Sequence, residues 1–179
     1  MRAVFDYLLG SEPLWVSAVG LRVLHRRLED VGFVSLRYPG NILCNLHVSW
    51  TDPHKVREIV VVGSKGRAVF DDLNRLEPLR IYDRGVHVED RALDGSDPVA
   101  QLVIRDGDIH SPSLTVREPL RQECLHLLDC IHGDAVPRCD GYAGTAVVRV
   151  MEAIDESLRL HGAPAPVSPL NATAGLVPA

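Results

Sequence analysis

From Ile42 to Trp50 the chain alternates apolar and polar positions. Ile42, Cys44, Leu46, Val48 and Trp50 fall on one side, and Asn45, His47 and Ser49 on the other. A period of two is the mark of a strand with one buried face. Thr51-Asp52-Pro53 ends it, since proline has no N–H to give a ladder and Thr and Asp favour turns. The β-branched run Val56–Val62 and the segment Arg67–Asp71 follow, separated by Gly63-Ser64-Lys65-Gly66. A glycine-flanked polar pair between two strand patterns predicts a hairpin.

The same pattern predicts strands over Leu14–Leu24, Val31–Tyr38, Leu79–Tyr82, Val86–Glu89 and Ala100–Arg105, joined by short turns. Short sequential links favour antiparallel pairing over βαβ units. Helical periodicity appears three times. Arg2–Leu9 is short and stops at Gly10, a residue suited to the position after a helix. Pro119–His132 places Leu120, Cys124, Leu127, Leu128 and Ile131 on one face, with Gly133 as its stop. A third helix is capped by Asp140 and carries the stripe Ala143, Ala146, Val147, Val150, Ile154 and Leu158. The expected fold class is therefore α+β: a largely antiparallel open-faced sheet of about seven or eight strands, with helices packed on one face. Residues 1–161 would form this one domain. Residues 162–179, rich in Pro and Ala without periodicity, are expected to be a disordered tail.

Composition narrows the function classes. The 179 residues are 46% hydrophobic, enough for one full core. A net charge of −5 supplies no basic field for nucleic acid. Four cysteines are too few for a disulfide scaffold, and the sequence has no signal peptide or long apolar span. The expectation is a soluble cytoplasmic protein that binds neither nucleic acid nor membrane.

Several segments resemble a known family. They are YLLG (Tyr7–Gly10), SW-x-DP-x-K-x-R (Ser49–Arg57) with VVGSKGRAVFDDLN after it, EPL followed by EC-x-H-x3-CI (Glu118–Ile131) and P-x-x-DG-x-x-G (Pro137–Gly144). In this order and spacing they resemble the C-terminal half of Gfo/Idh/MocA-type oxidoreductases. The nearest branch acts on nucleotide-linked amino sugars, as UDP-N-acetylglucosamine or uronate 3-dehydrogenases do. The resemblance runs from about Leu8 to Leu160. It implies an NAD(P)-dependent family whose cofactor sits in an N-terminal Rossmann domain with a G-x-G-x-x-G turn. These 179 residues contain no such turn, and none matches the Glu-Lys-Pro or Asp-x-x-x-His segments that supply the family's catalytic lysine and histidine. The expectation is the substrate-binding and oligomerisation half of a sugar oxidoreductase, unable on its own to bind a dinucleotide or transfer hydride. The alternative is a stand-alone non-redox protein, either a dimeric binding module or a cofactor-free enzyme with a pocket on the exposed sheet face. Expected partners are a second copy, as a homodimer or tetramer through that face, a separate Rossmann subunit, and a small sugar-type ligand.

Candidate site residues follow from the central strand. Asn45, His47 and Ser49 share its polar face and have the donors and acceptors to meet sugar hydroxyls; the alternative is a solvated or subunit-facing surface. His47 is the one weak candidate for proton transfer. Trp50, Lys55 and Arg57 come next, with a ring to stack on a sugar or base and two cations for a diphosphate. Their structural alternative is Trp50 as the last core residue of the strand and the cations paired with carboxylates such as Asp52 or Glu58. Asp71, Asp72 and Asn74 read as an Asx-type turn rather than a cation site, because adjacent strand residues point to opposite faces. Cys124, His126, Cys130, His132 and Cys139 suggest zinc by composition alone. Cys124 and His126 lie about 200° apart around a helix, at roughly 100° per residue, so no metal is expected there. Cys124, on the apolar stripe, is expected to be buried.

Overall fold

The computed structural model describes residues 2–91, 99–115 and 117–168. The chain runs α1 (Arg2–Leu9), β1 (Trp15–Leu21), β2 (Val31–Tyr38), β3 (Ile42–Ser49), β4 (Glu58–Val62), β5 (Arg67–Asp71), β6 (Leu79–Tyr82), β7 (Gly85–Arg91), β8 (Val99–Arg105), β9 (Ile109–His110), α2 (Pro119–His132), α3 (Gly141–Arg159) and β10 (Ala165–Pro166). All the pairings are antiparallel. The α+β class therefore stands. Where the sequence suggests one sheet, hydrogen bonding groups the strands as β10-β1-β2-β3, β4-β5-β6-β9 and the β7-β8 pair. The chain divides into two compact units, residues 1–53 with 124–179, and residues 54–123.

The first unit is built on the β10-β1-β2-β3 sheet. Its register sets Val16 opposite Leu36 and Leu36 opposite Cys44, with Ala18, Val34 and Leu46 in the next row. These residues face α3, and Val16, Leu36, Tyr38 and Val150 form the fully buried centre of the core. Phe5 and Leu9 of α1 pack at its margin, and the buried Tyr38 hydroxyl donates to Asp6 Oδ1 at 2.7 Å.

Asp140 caps α3 as expected, its carboxylate accepting from the Ala143 N–H at 2.8 Å. The buried stripe differs in detail: Ala146, Val150, Ala153 and Ser157 lie inside, while Ala143 is exposed. Small residues here let the helix backbone come close to β1. Ser157 Oγ accepts from the Ala18 N–H at 2.8 Å and donates to the Ala163 carbonyl at 2.7 Å. Gly162 follows at φ +93°, and a Cβ there would stand 2.8 Å from Val19 Cγ1.

Three further expectations change. Residues 165–167 do not trail away: Ala165–Pro166 pairs with Trp15–Val16, and Ala165 and Val167 are buried. A short apolar segment beside a free strand edge gains a ladder and a core contact that periodicity cannot forecast. The rest of the expected tail, 169–179, lies outside the described residues. The predicted strand Leu14–Leu24 stops at Leu21, because a carboxylate captures the next amides, as described below. Finally, α2 has its predicted bounds and stop, with Gly133 at φ +84°, but none of its residues is buried. Its stripe, including Leu120, Leu127 and Ile131, is exposed, and so is Cys124.

In the second unit, Gly63 N–H donates to the Gly66 carbonyl at 2.9 Å and closes the β4–β5 hairpin. Asp71 Oδ1 accepts from Leu73 N–H, and Asn74 Oδ1 from the amides of Leu76 and Glu77. That is the Asx turn the sequence predicts.

Candidate functional site

The first-unit sheet turns one face away from α3. Its rows are Ser17, Ser35 and Asn45; Val19, Phe33 and His47; and Leu21, Val31 and Ser49. Val19, Leu21 and Phe33 are exposed. Ser35 Oγ donates to Asn45 Oδ1 at 2.9 Å, which orients the amide and leaves its two N–H donors for a ligand. The His47 ring stacks flat on Phe33, with centroids 4.4 Å apart and planes 8° from parallel. Ser49 is committed elsewhere. Its hydroxyl accepts from the amides of Thr51 and Asp52 at 3.2 and 3.1 Å and shares a 2.9 Å hydrogen bond with Thr51 Oγ1. It caps the turn after β3.

Trp50 belongs to the first unit, and Lys55 and Arg57 to the second. Trp50 is 85% exposed, so it is not the last core residue of its strand; β3 ends one residue earlier. Arg57 pairs with a carboxylate, that of Asp72, at 3.3 Å.

Asp30 organises the loop after β1. Its backbone pairs with Leu21 and Trp50, Asp30 N–H donating to Leu21 O and Trp50 N–H to Asp30 O, each at 2.8 Å. Its carboxylate is buried, yet Oδ2 accepts from the amides of Val23, Leu24 and His25 at 2.8, 2.7 and 3.0 Å, and Oδ1 from His25 Nδ1 at 2.6 Å. The His25 amide and imidazole, with the Leu24 and Val23 amides, outweigh desolvation and hold this carboxyl far below the usual range. Hence residues 22–30 are a loop wrapped around one carboxylate. Alternation of charge hides this, because the partners are backbone amides rather than side chains.

Two cavities lie within this unit. One, of about 240 Å3, is floored by Gly20, Gly32 and Val48 and bounded by Asp30, Trp50 and Leu158. The other, of about 310 Å3, lies between α1 and the start of α3, with Asp6, Glu12 and Arg138 on its walls. Cys44, partly buried beside the core, has its thiol pushed up by burial and then by the Asp6 charge. On α2, His126 Nε2 accepts from the Arg138 N–H at 3.3 Å and lies 3.7 Å from Cys130 Sγ. Among the described residues no three His, Cys, Asp or Glu side chains converge, and no helix is long and apolar enough to cross a membrane.

The family model of the GFO/IDH/MocA C-terminal domain matches residues 3–69. That stretch is similar to part of the Gfo/Idh/MocA C-terminal domain and covers well under half of the chain. The match takes in YLLG, the polar face of β3 and the Gly63–Gly66 hairpin, while the Glu118–Ile131 and Pro137–Gly144 segments lie beyond it. No curated protein sequence matches.

Solved structures share the fold of this chain. UDP-N-acetylglucosamine 3-dehydrogenase GnnA from Acidithiobacillus ferrooxidans superposes with a TM-score of 0.67 at 19% identity, over 89% of this chain and 44% of that one. The WlbA dehydrogenase from Bordetella pertussis, solved with NADH and UDP-GlcNAcA, gives 0.63 at 20%, over 94% and 42%. Aldose-aldose oxidoreductase from Caulobacter crescentus, solved with glycerol, gives 0.64 at 20%, over 92% and 44%. The chain thus spans less than half the length of each of these proteins.

A dinucleotide does not fit the Gly63–Gly66 turn. The pair Gly63 and Gly66 turns a hairpin between two strands, with the Gly63 amide spent on the Gly66 carbonyl. Pyrophosphate binding instead needs free amides at a helix N-terminus.

Proposed function

We propose that this chain supplies the sugar-binding and self-associating portion of a nucleotide-sugar oxidoreductase, and that the dinucleotide is held by a portion outside these 179 residues. The observation that carries the reading is the sheet face turned away from α3. There Asn45 keeps its two amide donors free, and His47 and Phe33 form an aromatic platform flanked by exposed Val19. A pyranose has just these needs, an apolar C–H face to lay on a ring and hydroxyls for fixed polar groups. Support also comes from the neighbouring folds, one of which is a UDP-N-acetylglucosamine 3-dehydrogenase. In this reading Asn45 and His47 bind and orient the sugar, and hydride chemistry belongs to the cofactor.

Calorimetry with UDP-N-acetylglucosamine and, separately, NADH tests the proposal. The sugar nucleotide is expected to bind and to weaken about tenfold in Asn45→Ala or His47→Ala, the loss of one or two good hydrogen bonds. NADH is expected not to bind. Tight NADH binding, or sugar binding indifferent to both substitutions, overturns it.

The exposed apolar residues on the same face, Val19, Leu21 and Phe33, favour a second reading, in which the face serves only to join two copies in a non-redox module. A dimer that binds no sugar nucleotide would decide for it.

A further inference from the structure

Two glycines leave a hollow between the first sheet and α3. Gly20 stands opposite Gly32 in the register, and Gly32 opposite Val48. This row follows Ala18, Val34 and Leu46 on the helix side, and it has one side chain where three would fill the space. Ile154 and Leu158 of α3 border it, and a recess of about 240 Å3 remains.

Most of the lining is apolar, and its charged residues are two acids, Glu29 and Asp30. Gly20 admits the first: a Cβ there would stand 2.8 Å from Glu29 Cγ, so a side chain at this position would displace the Glu29 stem. The Arg22 guanidinium, 2.7 Å away, holds the Glu29 carboxyl below its usual range. His25 and the loop amides do the same for Asp30. Both acids are therefore ionised at neutral pH, and neither Arg22 nor His25 lines the recess. Trp50 also borders it and is 85% exposed. Its N–H donates to the Asp30 carbonyl at 2.8 Å, which ties the start of its side chain to the acidic wall. A phosphate or carboxylate would meet the wrong charge here. An organic ammonium ion meets an indole face and anions for its charge, and apolar surface for its alkyl groups.

We infer that Trp50, Glu29 and Asp30, over the Gly20–Gly32 floor, bind a small organic ammonium ion, with its alkyl groups in the recess and its charge beside the indole and the carboxylates. The site uses neither Asn45 nor His47, so this inference and the sugar-binding proposal stand or fall separately.

Choline and its neutral carbon analogue 3,3-dimethyl-1-butanol share a shape and differ in charge. Calorimetric titration of the full chain with each, at fixed ionic strength, tests the inference. Choline is expected to bind about tenfold or more tightly than the alcohol. Trp50→Ala should weaken choline by about tenfold, and Trp50→Phe should keep most of the binding because a ring face remains. Glu29→Gln should weaken choline by about threefold and leave the alcohol unchanged, since a partly exposed carboxylate acts on charge alone. Thermal melting should show that Trp50→Ala and Trp50→Phe fold like the wild type, because so exposed a side chain adds little to the core. Equal binding of the two compounds overturns the inference, as does absence of choline binding at about 10 mM. So does choline binding that is unchanged in Trp50→Ala and Glu29→Gln, or lost in His47→Ala instead, which would put the cation on the Phe33–His47 platform.

Discussion

Ser157 ties three segments with one hydroxyl, receiving the Ala18 amide and donating to the Ala163 carbonyl while fully buried. Alanine there strands an amide and a carbonyl away from water, a loss of about 1–3 kcal/mol. Urea denaturation of Ser157→Ala should read a lower midpoint with an unchanged slope. Asp30 makes the complementary case with a charge. Its folded carboxyl is far more acidic than an unfolded one, so its contribution is complete above the unfolded value near ~3.9. That contribution falls away as pH drops below that value toward the folded one. Stability measured from pH 6 down to pH 2 should decline through this group, and Asp30→Asn should lower the plateau and flatten the decline. Neither role is legible in the sequence. Serine on a helix reads as solvated surface and aspartate in an Arg-rich loop as a surface ion pair, because both act here through backbone groups that carry no residue signature.

At the scale of elements, the sequence predicts most bounds closely. Val31–Tyr38, Arg67–Asp71 and Pro119–His132 are observed as predicted, because proline, glycine and clean periodicity mark their ends. Two-residue strands such as Ile109–His110 escape, having no period to detect. The α3 stripe is displaced toward Ala153 and Ser157, small residues that a hydropathy pattern undervalues but that close packing requires. Of the candidate site, the placing of Asn45 and His47 on one strand face was legible. Leu36 lies between Val16 and Cys44 in the register with no exposure. Leu36→Ala should therefore cost about 2–5 kcal/mol, read by thermal or urea melting. At Gly162, whose φ is +93°, alanine meets both left-handed strain and Val19 Cγ1, and should destabilise by about 1–3 kcal/mol.

For the molecule as a whole, the proposed pairing of copies rests on apolar side chains left open on a sheet face. Val19, Leu21 and Phe33 are each at least half exposed, and a contiguous patch of this kind is how subunits meet. Sedimentation at tens of micromolar should find a dimer or larger, and Phe33→Asp should yield a monomer with an unaltered circular dichroism spectrum. A wild-type monomer would count against self-association. The short strand Ala165–Pro166 has a consequence of its own for how the protein is handled. It shields the outer side of Trp15 and Val16, whose amides and carbonyls would otherwise face solvent as an open template. Proteolytic clipping after His161 would uncover that rim. Shortened molecules should then zip onto one another and drop out of solution, however sound the remaining core.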